Sequence, residues 1–314
     1  MAAEHAPGSP YLDSLDSLLR SGMTGLTEAL TAPQVAFALE RQQPDGGFPG
    51  SRGPSDLYYT DFALRLLDPI GPADLDLAPV ARFVASAPPP TDVVHCFSLL
   101  SCARMLAGHS LPVEVDRSDL LTVLAEHAAY GGPARREEDR DVPFSVTRAF
   151  LGALSYQLLD ERPPDVTQVL RSLRRPDGGF ADGPDREAGQ TNATAAAVAL
   201  LTMAGALKPA EATGAAGFLA AMQTPSGGVR AHALAPVGDL LSTFTALVTL
   251  VACGDPGALD LRAAARFVRD LAVADGGFRG TVGDEADIEY TYYGLGCLAL
   301  LRAGARSTRE NEPP

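Results

Sequence analysis

The sequence predicts an all-α fold: six helical hairpins closed into a ring, an (α/α)6 toroid, with one extra N-terminal helix ahead of it. Three observations lead there. A glycine-rich turn recurs as QQPDGGFPG at 42–50, RRPDGGFAD at 174–182, QTPSGGVRA at 223–231 and VADGGFRGT at 273–281, with a degenerate Gly131-Gly132 between the first two. The glycine pairs start at 46, 131, 178, 227 and 276, so the later steps are 47, 49 and 49 residues and the first, 85, is close to twice that period. A fixed period marks stacked supersecondary units. The segments flanking each turn carry apolar residues at helical spacing, as Leu295, Leu298 and Leu301 do, and strand-like alternation is absent.

Taken in order, residues 1–32 form an N-terminal extension in which YLDSLDSLLRSGMTGLTEAL (11–30) reads as a helix packed outside the ring. Residues 33–305 form the toroid as one domain. The unit hidden in the first long gap is LAPVARFVASAPPPTDVVHCFSLLSCARMLAG at 77–108, where APPP replaces the Gly-Gly turn. Each unit has a helix such as LRAAARFVRDLA (261–272), the turn, a loop, and a second apolar helix such as TYYGLGCLALLRAG from Thr291. In the turn Pro ends the first helix, Asp caps locally, and Gly-Gly allows positive φ and close backbone approach between units. The DGGF segments are therefore structural punctuation and not phosphate loops. Closing the ring leaves no exposed end repeat, and the inner helices surround a cavity. The tail, 306–314, is expected to be disordered.

Composition narrows the function classes. A formal net charge of −14 over 314 residues, with no compensating basic run, argues against nucleic acid or an anionic membrane as partner. Cys96, Cys102, Cys253 and Cys297 lie in apolar helical contexts without metal-ligand spacing and read as buried thiols. No signal-peptide pattern and no run of about 20 apolar residues occurs. A soluble, cytoplasmic protein without a membrane span is expected.

The Q/R-x-P-D-G-G-F turn, followed after a variable loop by a T-x-x-A-L-x-x-L helix, resembles the repeat of prenyltransferase β-subunits and squalene cyclases, over roughly residues 33–305. TDFALRLL (60–67), TAAAVALL (194–201), TALVTLV (245–251) and TYYGLGCL (291–298) carry the resemblance. It implies a central apolar cavity that holds a small isoprenoid-like ligand, with catalytic groups where the inner helices start. Protein prenyltransferases hold zinc through D-x-C-Y and D-x-x-H-T motifs; these fall here on Asp239-Leu240-Leu241-Ser242 and Asp287-Ile288-Glu289-Tyr290-Thr291, so only the Asp survives. The diphosphate-binding basic positions fall on Ala233 and Pro236, and the histidine of a G-G-Y-T segment on Gln190. The standard zinc site is thus expected to be lost, with a divalent metal elsewhere left open. Squalene cyclases use a D-x-D-D-T motif whose central Asp protonates an alkene or epoxide. Its best counterpart, Asp56-Leu57-Tyr58-Tyr59-Thr60, has tyrosines, weak acids with pKa near 10, where carboxylates are needed, and EEDRDVPF (137–144) offers Asp139 and Asp141 without the ending. A helical partner resembling the prenyltransferase α-subunit is admitted by the resemblance but not indicated by any segment.

Candidate catalytic residues remain. Asp92-Val93-Val94-His95 repeats the D-x-x-H pattern in the second unit, and Asp56 in the first unit stands where it could converge with Asp92 and His95. Such a group suits a divalent metal, acid/base work, or a structural hydrogen bond. Asp239 joins them as the surviving zinc-motif Asp. Tyr58, Tyr59, Tyr290, Tyr292 and Tyr293 gather in the first and last units, which ring closure makes neighbours, and with Phe244 they offer an aromatic wall for an isoprenoid or a carbocation. Asp239, Asp284, Glu285, Asp287 and Glu289 form an acidic arc, read as solvated caps favoured by helix dipoles or as a cation-attracting surface. Arg148, Arg186, Arg230 and Arg279 are scattered anion-binding candidates. The leading expectation is an isoprenoid-handling enzyme with a reorganised active site; the alternative is a non-catalytic lipid-binding or protein-interaction scaffold that keeps the toroid.

Overall fold

A computed structural model describes residues 11–127 and 144–310; Gly131, Gly132, Asp139, Asp141, the first ten residues and the last four lie outside the described residues. After α1 (Tyr11–Thr24), outer helices α2 (Glu28–Leu39), α4 (Ala78–Ser86), α6 (Arg117–His127), α8 (Thr167–Ser172), α10 (Pro209–Ala221) and α12 (Leu261–Asp270) alternate with a second set. The inner helices are α3 (Leu57–Ile70), α5 (Val93–Gly108), α7 (Val146–Leu158), α9 (Thr191–Met203), α11 (Leu240–Ala252) and α13 (Ile288–Glu310). Each inner helix packs on the next, and α13 packs back on α3, which closes the ring. The strands among the described residues are two-residue pieces, Phe278–Arg279 and Ala286–Asp287, paired in the loop of the sixth hairpin. No helix among the described residues is long and apolar enough to cross a membrane.

Turn chemistry sets the geometry of each hairpin. Asp45 Oδ1 accepts from Gly47 N at 3.0 Å, which tightens the turn. The next amide, Phe48 N, donates to the buried Thr60 hydroxyl at 3.0 Å, and that hydroxyl donates to the Asp56 carbonyl at 2.7 Å. Thr194, Thr243 and Thr291 accept from Phe180, Val229 and Phe278 in the same way. In the fifth unit the repeat threonine is thus Thr243 and not the Thr245 expected from the sequence. Thr245 instead donates to Asn192 Oδ1 at 2.8 Å and faces the interior.

Ring closure rests on a backbone contact. Gly276 has φ 94°, and a Cβ there would stand 2.3 Å from the Pro33 carbonyl oxygen on α2; a Cβ on Gly277 would stand 2.5 Å from the Phe37 ring. Gly46 and Gly47 make the matching contacts with Pro79 and Phe83.

Two expectations change at the termini. The segment 11–30 breaks after Thr24, and its last residues belong to α2, the outer helix of the first hairpin. The extra helix, α1, does not pack outside the ring. Its buried stripe of Leu12, Leu19 and Met23 lies across the ends of the inner helices, against α13, α3 and α9, because a one-sided apolar helix finds its largest apolar surface there. At the other terminus α13 runs on to Glu310, through part of the segment expected to be disordered.

Gly276→Ala should therefore lower stability by well over the ~1–2 kcal/mol that left-handed backbone alone costs a side chain. Gly205→Ala, at φ 61° with nothing within 4 Å of the added Cβ, should lose only that smaller amount. Denaturant unfolding of the two variants beside the parent checks the difference.

Candidate active site

Helix caps decide which side chains face inward. The inner helices α3, α5, α7, α9 and α11 start on Asp56, Asp92, Ser145, Gln190 and Asp239, and Asp287 serves α13 by accepting from Tyr290 N at 2.8 Å. Two residues past each cap, Tyr58, Val94, Thr147, Asn192, Leu241 and Glu289 line a central cavity of about 280 Å³. The next inward layer, five residues past the cap, is Asp61, Phe97, Phe150, Ala195, Phe244 and Tyr292. Residues three past the cap turn away into the seams between hairpins, as the 100° step of a helix requires.

That phase sorts the aromatic candidates. Tyr58, Phe244, Tyr292 and Tyr293 line the cavity, with Phe62 centred 5.3 Å from Tyr293, and Phe244 centred 4.9 Å from it. Tyr59 and Tyr290, both three past the cap, do not; their rings cover Gly50 and Gly280 in the loops.

Glu289 is the carboxyl that the sequence reading left among solvated caps. It lies at the cavity rim, and the Tyr58 hydroxyl donates to it at 2.7 Å. Burial raises its pKa, the Tyr58 hydrogen bond pulls it down, and nearby Asp287 raises it further; the net shift is upward. A second inward carboxyl, Asp61, is buried and its pKa is raised by burial, although Arg65 Nε donates to both its oxygens at 3.0 Å. Arg65 also donates to Ser101 at 3.0 Å and lies over the Phe97 ring, so its charge is spent on binding α3 to α5. The signal for Glu289 was its place two residues after the cap Asp287; for Asp61 and Arg65 it was the i, i+3, i+7 spacing from Tyr58.

The structure brings Asp56, Asp92 and His95 together, outside the central cavity. His95 Nδ1 lies 2.8 Å from Asp92 Oδ2 and its Nε2 lies 3.3 Å from Asp56 Oδ2. The three border a separate notch of about 350 Å³, walled by Phe83 and the prolines 88–90. Both aspartates are also caps: Asp56 Oδ1 accepts from Tyr58 N at 2.8 Å and Asp92 Oδ1 from His95 N at 2.9 Å. Burial lowers the His95 pKa, but hydrogen bonds to Asp92 and Asp56 outweigh it and the net shift is upward. Asp239 caps α11 through Ser242 N at 2.7 Å, and burial raises its pKa.

The positions matched to the zinc motifs carry these groups. Asp239 Oδ1 is taken by a backbone amide, Leu241 offers no donor, and the Tyr290 ring lies against Gly280. Among the described residues no group of three or more His, Cys, Asp or Glu is arranged to hold a metal ion. The arginine candidates stand away from the cavity: Arg230 donates to the Ala233 carbonyl at 3.2 Å and Arg186 lies 3.5 Å from Asp185, while Arg148 and Arg279 do not line it either.

A family model described as prenyltransferase alpha-alpha toroid domain matches residues 145–313. The protein farnesyltransferase subunit beta of Pisum sativum is 25% identical over 153 residues, which is 48% of this chain and 36% of that relative, so the match spans little more than a third of the relative's length. Among solved structures, a type II terpene cyclase from Scytonema in complex with geranylgeranyl dihydroxybenzoate superposes at a TM-score of 0.57, with 13% identity, over 93% of this chain and 99% of that one. The protein geranylgeranyltransferase-I of Candida albicans, complexed with GGPP, does so at 0.51, with 15% identity, over 92% and 83%. At such identities the likeness bears on the fold alone, and a glycosidase shares it at 0.52.

Two carboxylates on one imidazole have a measurable consequence. The His95 ring should titrate above the ordinary 6.5 in NMR, and Asp56→Asn should lower that value. Because the folded value is the raised one, the pairing stabilises the chain fully below the unfolded value and is lost as pH rises through the folded value. Unfolding curves of the parent and Asp56→Asn should accordingly differ most below the ordinary histidine value and converge as pH rises through the raised, folded one.

Proposed function

Because this chain belongs to the prenyltransferase alpha-alpha toroid domain family, we propose that it is an isoprenoid-handling enzyme whose ligand chain lies in the central cavity, with the Glu289 carboxyl as its acid. The observation that carries the reading is one desolvated carboxyl, its pKa raised, at the rim of an aromatic cavity. A carboxyl of raised pKa stays protonated further toward neutral pH and can give its proton to an alkene. The alkene π pair then forms the new C–H bond and leaves a tertiary carbocation. Attack by a second alkene of the same chain closes a ring, and loss of a proton back to the Glu289 carboxylate restores the acid. The faces of Phe62, Phe244, Tyr292 and Tyr293 suit the cation between these steps.

Charge at the mouth bears on the headgroup. Asp239, Asp287 and Glu289 stand near the cavity entrance, and their field raises the pKa of Tyr290 to about 12, with burial the larger cause. That field opposes a diphosphate and favours a neutral or cation-forming ligand. The Asp56–His95–Asp92 group, outside the cavity, takes no chemical step in this reading.

Calorimetric titration with farnesol, geranylgeraniol and their diphosphates should show binding of the alcohols, more tightly than of the diphosphates. Glu289→Gln should retain binding while any cyclised product, followed by gas chromatography and mass spectrometry, drops by about 10²–10⁴-fold. Binding without turnover by the parent protein would favour the non-catalytic lipid-binding alternative. No binding of any of the four compounds at high micromolar concentration would sink the isoprenoid reading itself.

A further inference from the structure

One wall of the cavity does not come from the repeats. The six inner helices supply the sides, but the end opposite their caps is closed by α1, whose Tyr11, Leu12 and Leu15 line the cavity. Leu12 is buried beside Phe97 and Leu154, and the Tyr11 ring meets Phe150 edge-on at 6.1 Å. Burial pushes the Tyr11 hydroxyl up to about 12, as expected of a phenol enclosed among apolar groups.

This floor is fastened in place. Arg104 pairs with Asp13 and Asp16, Arg20 pairs with Asp68, and a Cβ on Gly22 would stand only 2.7 Å from that of Ala299 on α13. A helix held by ion pairs on one side and backbone contact on the other has no room to slide. The depth of the cavity is then set by side chains of α1, since the ring helices run on past it.

Resting on the reading that the cavity takes an isoprenoid chain, we infer that Tyr11 and Leu15 of α1 set the length of chain it accepts. A chain that enters past the caps meets this floor end-on, so the depth left above Tyr11 and Leu15 limits how many of its carbons the apolar walls enclose. A longer chain has its extra carbons outside the apolar walls, where they add little. Tyr11→Ala removes about seven non-hydrogen atoms, room for one further five-carbon isoprene unit. Leu15→Phe adds bulk to the same floor.

The test is calorimetric titration of the full chain with geraniol, farnesol and geranylgeraniol, for the parent, Tyr11→Ala and Leu15→Phe, each first checked for helical content by circular dichroism. The parent should gain less than about threefold in affinity from geraniol to farnesol, and Tyr11→Ala should gain at least about tenfold, since each newly enclosed methylene strengthens binding severalfold. Leu15→Phe should weaken geraniol itself. If Tyr11→Ala does not fold, Tyr11→Leu, which removes fewer atoms and keeps the floor apolar, carries the same comparison. Folded variants that keep the parent's geraniol-to-farnesol ratio and geraniol affinity would overturn the role of α1 while leaving the isoprenoid reading intact. A parent that binds none of the three alcohols would remove the premise, and this inference with it.

Discussion

Backbone touches backbone between consecutive hairpins, and the ring depends on that contact. The first glycine of a turn sits against the outer helix of the next unit, Gly46 on Pro79, Gly178 on Gly214, Gly227 on Ala263 and Gly276 on Pro33, with 2.1 to 2.6 Å between a hypothetical Cβ and the facing carbonyl oxygen. The second glycine sits under a ring one helical turn further on, Phe83, Phe218, Phe267 or Phe37. Main-chain atoms cannot change rotamer, so each contact fixes both the distance and the rotation from one unit to the next. The last step lands on α2, in the first unit, and the set of rotations closes. Below three of the turns a buried threonine, Thr60, Thr243 or Thr291, bridges the post-turn amide and the cap carbonyl and passes the position of the turn to the inner helix.

Once the caps are fixed, the helical period dictates what the cavity contains. An inner helix shows it the residues two, five and six past the cap, and the cap itself is spent on the backbone. Asp56, Asp92, Asp239 and Asp287 all accept from amides of the first turn, the task for which Asp is favoured at that position. Their carboxylates recur around the ring for a reason separate from any chemistry. Glu289 and Asp61 are carboxyls of another kind: they face the cavity, cap nothing, and have pKa values raised by burial. Asp61 is compensated by Arg65, whereas Glu289 has a phenol as its partner, so holding a proton costs Glu289 no ion pair while it would cost Asp61 the one with Arg65.

Much of this was legible in the sequence for a physical reason. Turns needing positive φ and close approach admit few residues, so QQPDGGFPG and VADGGFRGT stayed recognisable across the period. The hidden unit, 77–108, could be read because its helices kept their apolar spacing after its turn had been replaced. What escaped was angular: Glu289 and Tyr290 are neighbours in the same acidic and aromatic segment, yet one faces the cavity and the other a loop glycine. Only a count from the cap separates them, and the same count separates Tyr58 from Tyr59. The register of Thr245 failed likewise, since Thr243 satisfies the motif equally well and the choice is made by which hydroxyl reaches Val229 N. For α1, the sequence showed an apolar stripe but nothing that specified its partner.

The second hairpin explains why His95 resembles a metal ligand. At three other seams the first amide of an inner helix donates to the post-turn segment of the next unit: Val146 to Asp182, Thr191 to Ala231 and Leu240 to Gly280, each at 2.9 Å. In the second hairpin the chain passes from α4 to the cap Asp92 through Ala87, three prolines and Thr91, so that segment is missing and cannot serve the first unit. At this seam the His95 ring reaches from α5 to Asp56 on the first unit, while Asp92 steadies its other nitrogen. The imidazole therefore supplies a tie between neighbouring units where the backbone tie has been deleted. A histidine with both nitrogens facing carboxylates is poorly placed to offer a lone pair to a substrate or an ion. The same deletion opens the notch beside it, so the exposure of His95 follows from the shortened turn.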